Sequence, residues 1–309
     1  MKVVFMGTPG FASASLERLY SDGHEVAGVF TKPDKPRGRG MKVSFSPVKE
    51  IAMSHGTSVY QPDSLADGSA ADIIRALGCD IIAVAAYGKI LPKMVLDAPP
   101  LGCVNVHASL LPKYRGAAPI QWAILNGEPE TGVTTIYMTA GIDDGDILMS
   151  SKLAISDDET AGELQDRLSA TGAFLLSATL AAIANGTASR TPQNHSEASW
   201  APILKKEMSS IDWDDTALNI KRKVRGLNPQ PVATAELGGS VYKIFSVDIG
   251  DRRHAGKKPG EIISAGAQRL EIACADTSVI IKELQAPGGR RMPAEEYLRG
   301  HSIEVRSRK

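Results

Sequence analysis

Cys103-Val104-Asn105-Val106-His107-Ala108-Ser109-Leu110-Leu111-Pro112 is the stretch on which the fold reading turns. Cys103 to His107 alternates apolar and polar residues and carries two valines, which suits a short strand. Strand side chains alternate between faces, so Asn105 and His107 point the same way. Pro112 and then Pro119 cannot continue a ladder, so the strand ends near Ser109. Asn105 and His107 therefore sit near the C-terminal end of a strand. In open α/β sheets, ligands gather in the crevice outside those ends.

Downstream, Ile120, Ala123 and Ile124 have helical spacing, and Gly127 suits a C-cap. Val133 to Met138, rich in Val, Thr, Ile and Tyr, reads as the next strand. Asp143 lies in the loop beyond, within Gly141-Ile142-Asp143-Asp144-Gly145-Asp146. A strand–helix–strand crossover is expected to return Asp143 to the sheet edge that carries Asn105 and His107. Upstream, Lys2 to Met6, the turn Gly7-Thr8-Pro9-Gly10, the helical run Phe11 to Ser21 and Val26 to Thr31 form a βαβ opening. Asp80 to Ala86 is a near-continuous apolar strand of the buried parallel kind. The expected class is α/β, with a Rossmann-like, mostly parallel sheet. Gly7-x-x-Gly10 is not GxGxxG, so dinucleotide binding is not read from it.

Asn105, His107 and Asp143 bring three complementary groups. An Asn amide offers a neutral N–H to a developing oxyanion, His shuttles protons near neutral pH, and Asp orients the His or a water or accepts a proton. No Ser or Cys nucleophile with a paired base is evident. The pattern suits acyl transfer in which the substrate brings its own nucleophile.

Asp158 to Ala184 reads as helix, with Leu164, Leu168, Leu175 and Leu176 on an apolar face. Gly186 to Pro202 is polar with prolines near both ends and reads as an inter-domain linker. The expected division is residues 1–187, a linker 188–204, and 205–309. The last part opens on a basic helix, Ala217 to Gly226, with Lys221, Arg222, Lys223 and Arg225. Short β-type runs follow at 233–237, 241–247, 260–263, 270–273 and 279–284, which suggest a small barrel.

The chain is neutral overall, with 35 basic and 35 acidic residues. Residues 205–309 nevertheless carry 19 Lys and Arg against 14 Asp and Glu. Such asymmetry hints at nucleic-acid contact on the basic side. Lys32 to Lys49 holds three prolines, the run Arg37-Gly38-Arg39-Gly40 and a single acid, Asp34. A basic loop of this composition suits phosphate-backbone contact. The three cysteines, Cys79, Cys103 and Cys274, are scattered and lack CxxC or His/Cys ligand spacing, so no metal is expected and a reducing cytosol fits. The N-terminus is too short for a signal peptide, and no stretch approaches the ~20 apolar residues of a membrane span. A cytoplasmic monomer with no membrane contact is expected.

Asn105 to Ile120, with Lys113-Tyr114-Arg115-Gly116-Ala117-Ala118-Pro119 at its centre, resembles the signature of the folate-dependent formyltransferases. The likeness extends to Phe5-Met6-Gly7-Thr8-Pro9, Lys32 to Gly40, Ala85 to Pro92, Ile211-Asp212-Trp213 and Leu227-Asn228-Pro229-Gln230-Pro231. It implies a catalytic formyltransferase domain followed by an OB-like barrel that binds tRNA. It implies transfer of the formyl group of 10-formyltetrahydrofolate to the α-amine of methionine carried by initiator tRNA. On this resemblance Asn105, His107 and Asp143 are catalytic. Ser109, Leu110, Leu111 and Pro112 contact folate, with Tyr87, Gly88 and Ile90. Arg37, Arg39, Lys42, Lys221 and Arg222 contact tRNA.

Departures from the family pattern fall at Thr139, where an acid is common, at Asp144, where Thr is frequent, and at Gln230, where an aromatic is frequent. Three other readings compete. An N-formyltransferase acting on an amino sugar nucleotide needs no basic loop. A hydrolase of the formyl donor needs a water in the attacking position. A non-catalytic tRNA- or folate-binding module needs no intact trio.

Overall fold

The computed structural model describes residues 1–37, 42–251, 257–266 and 269–303, with the backbone alone for 35–37, 42 and 43. The chain forms two compact units. The first contains Met1–Pro119, Glu130–Ala154 and Gln165–Pro202; the second contains Ile120–Pro129, Ile155–Leu164 and the chain from Ile203 onward.

The first unit is built on β1 (Lys2–Gly7), α1 (Gly10–Ser21), β2 (Glu25–Phe30), the small ribbon β3 (Lys35–Arg37) and β4 (Lys42–Ser44), α2 (Pro47–Ser54) and β5 (Val59–Tyr60). Next come α3 (Ser69–Leu77), β6 (Ile81–Ala85), α4 (Lys93–Leu96) and β7 (Cys103–His107). After α5 (Pro119–Leu125), the sheet is completed by β8 (Glu130–Tyr137) and β9 (Ile147–Ala154), and α6 (Ala161–Ala184) follows. The seven-stranded sheet has the order β5-β2-β1-β6-β7-β8-β9. The pairs of β1 with β2 and β6, β2 with β5, and β6 with β7 are parallel. Every residue of β6 is buried, as a strand covered on both faces requires.

β8 departs from the expected crossover, because it pairs antiparallel with β7, with Val104 opposite Tyr137 and His107 opposite Thr134. The physical reason is reach. A parallel return takes a dozen or more residues. The turn over residues 108–118 uses half of the connection, and only residues 119–129, seven of them in α5, remain to travel. The β8–β9 loop therefore leaves from the N-terminal end of β7 and folds back over the sheet. Met138 N–H donates to the Cys103 carbonyl at 2.8 Å, and Tyr137 N–H to the Asp146 carbonyl at 3.0 Å.

Of residues 188–204, expected as a linker, 188–202 cluster with the first unit. Ile147 and Thr191 exchange both backbone hydrogen bonds, at 2.8 and 2.9 Å. Ala201 N–H donates to the Arg115 carbonyl at 2.7 Å, and Arg115 N–H to the Ser199 carbonyl at 2.8 Å. Within this strap Gln193 is buried and Ser199 half-buried, while Asn194, His195, Ser196 and Glu197 stay exposed.

α6 begins at Ala161, where Thr160 and Glu163 form a reciprocal capping box. Contrary to the sequence expectation, this 24-residue helix is long and apolar enough to cross a membrane by length and composition. Within the first unit it is a core helix. Leu168, Leu176 and Leu180 are fully buried, and Ser169 Oγ donates to the Phe11 carbonyl at 2.8 Å.

The second unit contains α7 (Ala217–Gly226), strands β10 (Ala233–Leu237), β11 (Ser240–Gly250), β12 (Ile262–Gly266), β13 (Arg269–Ala273), β14 (Ser278–Gln285) and β15 (Arg291–Pro293), and α8 (Ala294–Gly300). Where the sequence suggests a small OB-like barrel, its strands form an antiparallel sheet ordered β10-β11-β14-β13-β12 with β15 beside β14. β11 shifts register between Ile244 and Val247, which strengthens local twist and lets the sheet curl. Ile220 and Val224 of α7 fill the core with Tyr242, Ile244, Leu270 and Ile281.

Candidate active site

β7 delivers Asn105 and His107 to one face, and the β8–β9 loop brings Asp143 onto them. Asn105 Nδ2 donates to Asp143 Oδ1 at 3.3 Å, and His107 Nδ1 lies 3.5 Å from Asp143 Oδ2. The Gly116 N–H donates to Asp143 Oδ2 at 2.9 Å. Gly116 has φ +111°, and a Cβ there would sit 3.0 Å from the Ala201 carbonyl oxygen, so this approach requires glycine. His107 Nε2 lies 2.9 Å from the Tyr114 carbonyl oxygen. A carbonyl only accepts, so Nε2 carries the hydrogen and Nδ1 is left to share a proton with Asp143. Asp143 itself has φ +49°, the left-handed region that Asp visits more readily than most residues.

The turn after β7 is tied to β8. Thr134 Oγ1 donates to the Ser109 carbonyl at 2.7 Å and accepts from the Leu111 N–H at 3.2 Å. Ser109 is fully buried and spends its hydroxyl on the Lys113 carbonyl. Leu111 is buried, whereas Leu110 and Pro112 are partly exposed. Tyr87, Gly88 and Ile90 follow β6, which pairs with β7 through Ala85 and Val106, so both expected folate segments leave neighbouring strands at the same end. Ile90 is 75 % exposed at this edge. Tyr87 is buried, its hydroxyl has no hydrogen-bond partner among the described residues, and burial pushes it up to about 12. Gly88 has φ +70° and packs against Lys32 Nζ where a side chain would otherwise be.

None of these seven residues lines the cleft of about 520 Å³ on the other side of the Asp143 loop. Its walls include Leu96, Leu101, Cys103, Met138, Thr139 and Arg190. Arg190 lies 4.4 Å over the Tyr137 ring and pairs with Asp146 at 3.1 Å. Burial holds the Cys103 thiol up at about 12. Thr139 and Asp144, the two departures on this loop, hydrogen-bond to each other through Oγ1 and Oδ1. Acid and hydroxyl have traded places relative to the family pattern, and a hydroxyl–carboxylate contact joins them here.

The sequence reading missed the strap. Arg115 and Gln193 are 5 % and 6 % exposed. Arg115 donates to Gln193 Oε1 from Nε at 3.2 Å and from Nη2 at 2.6 Å. Gln193 Nε2 donates to the carbonyls of Asp143 and Gly145, each at 2.8 Å. The only sequence signal was an unusually polar run, 186–202.

The expected tRNA contacts are dispersed. The backbones of Arg37 and Lys42 are register partners in the β3–β4 ladder, and Arg39 lies outside the described residues. In the second unit Lys221 pairs with Asp158, and Arg222 donates to Asn219 Oδ1 at 3.3 Å. Among the described residues no group of three His, Cys, Asp or Glu is placed to hold a metal ion.

Residues 1–180 match the formyl transferase family model, and residues 203–302 match the formyl transferase C-terminal domain. A methionyl-tRNA formyltransferase of Acetivibrio thermocellus is 48 % identical over 98 % of this chain and 97 % of its own. Among solved structures, an N-formyltransferase from Helicobacter canadensis in complex with folinic acid and dTDP-3-aminofucose has TM-score 0.67 at 20 % identity, covering 91 % of this chain and 98 % of that one. HypX from Aquifex aeolicus in complex with tetrahydrofolic acid has TM-score 0.65 at 19 % identity over 96 % of this chain, which spans about half of HypX, 47 %. At such identities these structures speak for the fold alone.

Proposed function

The chain belongs to the formyl transferase family, and from that premise we propose that it formylates methionyl initiator tRNA with 10-formyltetrahydrofolate as donor. The convergence of Asn105 and His107 on Asp143 within 3.5 Å carries the reading. It is supported by near-full-length identity of 42–48 % to proteins named methionyl-tRNA formyltransferase.

In this reading the methionyl α-amine attacks the formyl carbon and a C–N bond forms. Asn105 Nδ2 donates to the oxygen that becomes negative, in a site where His107 supplies further positive character. Asp143 and His107, through a water, take the proton lost by the amine. The same pair returns it to the folate nitrogen as the old C–N bond breaks, so no net proton is consumed. Tetrahydrofolate then leaves.

The cleft beside the Asp143 loop is within the size range of small-molecule sites. It is our candidate for the folate ring system, and Ser109 to Pro112 and Tyr87 to Ile90, which lie outside its lining, are our candidates for contacts to the rest of the donor. The catalytic part is residues 1–187 together with the strap. Residues 205–309 and the basic loop around Arg37, Arg39 and Lys42 hold tRNA, and the protein works as a cytoplasmic monomer.

The test is formyl transfer in vitro. Purified protein is supplied with donor and methionylated initiator tRNA, with methionylated elongator tRNA and an amino sugar nucleotide in parallel. Rapid formylation of the initiator alone is expected. Activity on the sugar, or release of free formate without tRNA formylation, would overturn the acceptor while leaving the trio in place.

A further inference from the structure

We propose that Gln193 is a positioning residue for the reaction, holding Asp143 by its backbone while Arg115 sets the direction of the Gln193 amide. This rests on the formyl-transfer reading above and adds to it a residue outside the trio.

The argument starts from hydrogen-bond roles. A guanidinium only donates and a backbone carbonyl only accepts. Arg115 donates twice to one end of the Gln193 amide, so that end is Oε1. The other end faces the Asp143 and Gly145 carbonyls, so it is Nε2. Every partner of Gln193 has a single role, and the amide has one orientation. Arg115 Nη2 also lies 3.2 Å from His195 Nδ1, which accepts from it. The chain His195–Arg115–Gln193 thus ends on the two carbonyls that bracket Asp144.

Those carbonyls belong to a loop that needs holding. Asp143 sits at φ +49°, a left-handed conformation that persists where its surroundings hold it. Its carboxylate is held by Asn105 and Gly116, but both must stay available as the carboxylate takes and returns a proton. Gln193 holds the main chain instead, so the position of the carboxylate does not depend on its charge. Gln193 is 6 % exposed and, among the described residues, its side chain bonds only main-chain oxygens of the loop and Arg115. It therefore acts through Asp143 rather than on the reacting atoms.

Gln193→Glu keeps the size and strengthens the Arg115 contact, but turns a carboxylate oxygen towards two carbonyls. Gln193→Met keeps the length and removes both roles. Activity of the parent protein on methionyl initiator tRNA is measured first, so that failure of the functional reading shows itself separately. With an active parent, both variants are expected to lose about 10–100-fold in kcat, the scale of a small misplacement of a reacting group. KM for donor and tRNA should stay within about threefold, and the pH profile of kcat should shift. In an Asp143→Asn background the same substitutions should add little, because they act through the carboxylate. Parent-like kcat in a folded Gln193→Met, or an equal loss with and without Asp143, would overturn the proposal. If Gln193→Glu fails to fold, Gln193→Met decides alone.

Discussion

Two stretches of the first unit hold Asp143, and they hold different parts of it. Residues 103–119 address its carboxylate, through the Asn105 amide, the Gly116 N–H and His107 Nδ1. Residues 188–202 address its main chain, through one Gln193 amide on the carbonyls of Asp143 and Gly145. The first stretch meets the group that changes charge; the second meets atoms whose charge never changes. A carboxylate carried on a loop at positive φ needs both kinds of restraint. Donors on the carboxylate tune the proton, and the Gln193 amide, donating to main-chain carbonyls, keeps the carboxylate in place while the proton comes and goes.

The hardest test of this contrast is at the carboxylate end. Asn105→Ala or Asp143→Ala should cut turnover by about 100-fold or more, the scale for losing an oxyanion donor or a placed acid–base group. Near-parental turnover in either variant would end the catalytic assignment. The cleft on the far side of the same loop offers a sharper contrast. Leu96→Trp narrows it, and KM for 10-formyltetrahydrofolate should rise about tenfold, equal to ~1.4 kcal/mol, with kcat little changed. A fall in kcat with KM intact would show that the cleft supports the loop rather than the donor.

The basic loop belongs to neither stretch, which makes it a control. Arg39→Ala should raise KM for tRNA several-fold and lower the salt slope of tRNA binding by about 1, leaving donor KM unchanged. Equal loss towards both substrates would mean that the loop is structural.

The smallest expected effect concerns Cys103, which shares β7 with Asn105 and His107 but takes no part in chemistry. Burial raises its thiol from 9.0 to about 12. Between those values the unfolded chain releases a proton that the folded protein keeps, so stability falls as pH rises through the window. Tyr87, raised from 10.0 to about 12, acts in the same direction. Thermal unfolding should therefore shift to lower temperature above pH 9.0, and by less in Cys103→Ala. An identical pH dependence in that variant would show that the thiol ionises freely.

Much of the fold was legible because it rests on local chemistry. The apolar runs of β1 and β6 announce strands covered on both faces, and Gly10 to Ser21 carries helical spacing between them. The helix Ala217–Gly226 is found with the bounds read for it, since Thr216 caps its first turn. The trio residues were legible as types, because an amide, an imidazole and a carboxylate near one strand end have few structural reasons to occur together. The route of Asp143 was not legible, since β8 has the same residue pattern whether it pairs parallel or antiparallel. The strap was not legible either. Polar residues such as Gln193 and Ser199 look the same whether water or a buried arginine and a tight turn satisfies them.

Sequence by itself determined the α/β class, the short-stranded β character of the C-terminal part and the chemical types at the site, because periodicity and residue chemistry are local properties. Only the tertiary structure decided that the β8–β9 loop folds back over β7 and that residues 188–202 close against it. Both depend on which hydrogen-bond partners meet across about 40–80 residues, as Gln193 meets Asp143 with a separation of 50. No local pattern encodes such a meeting.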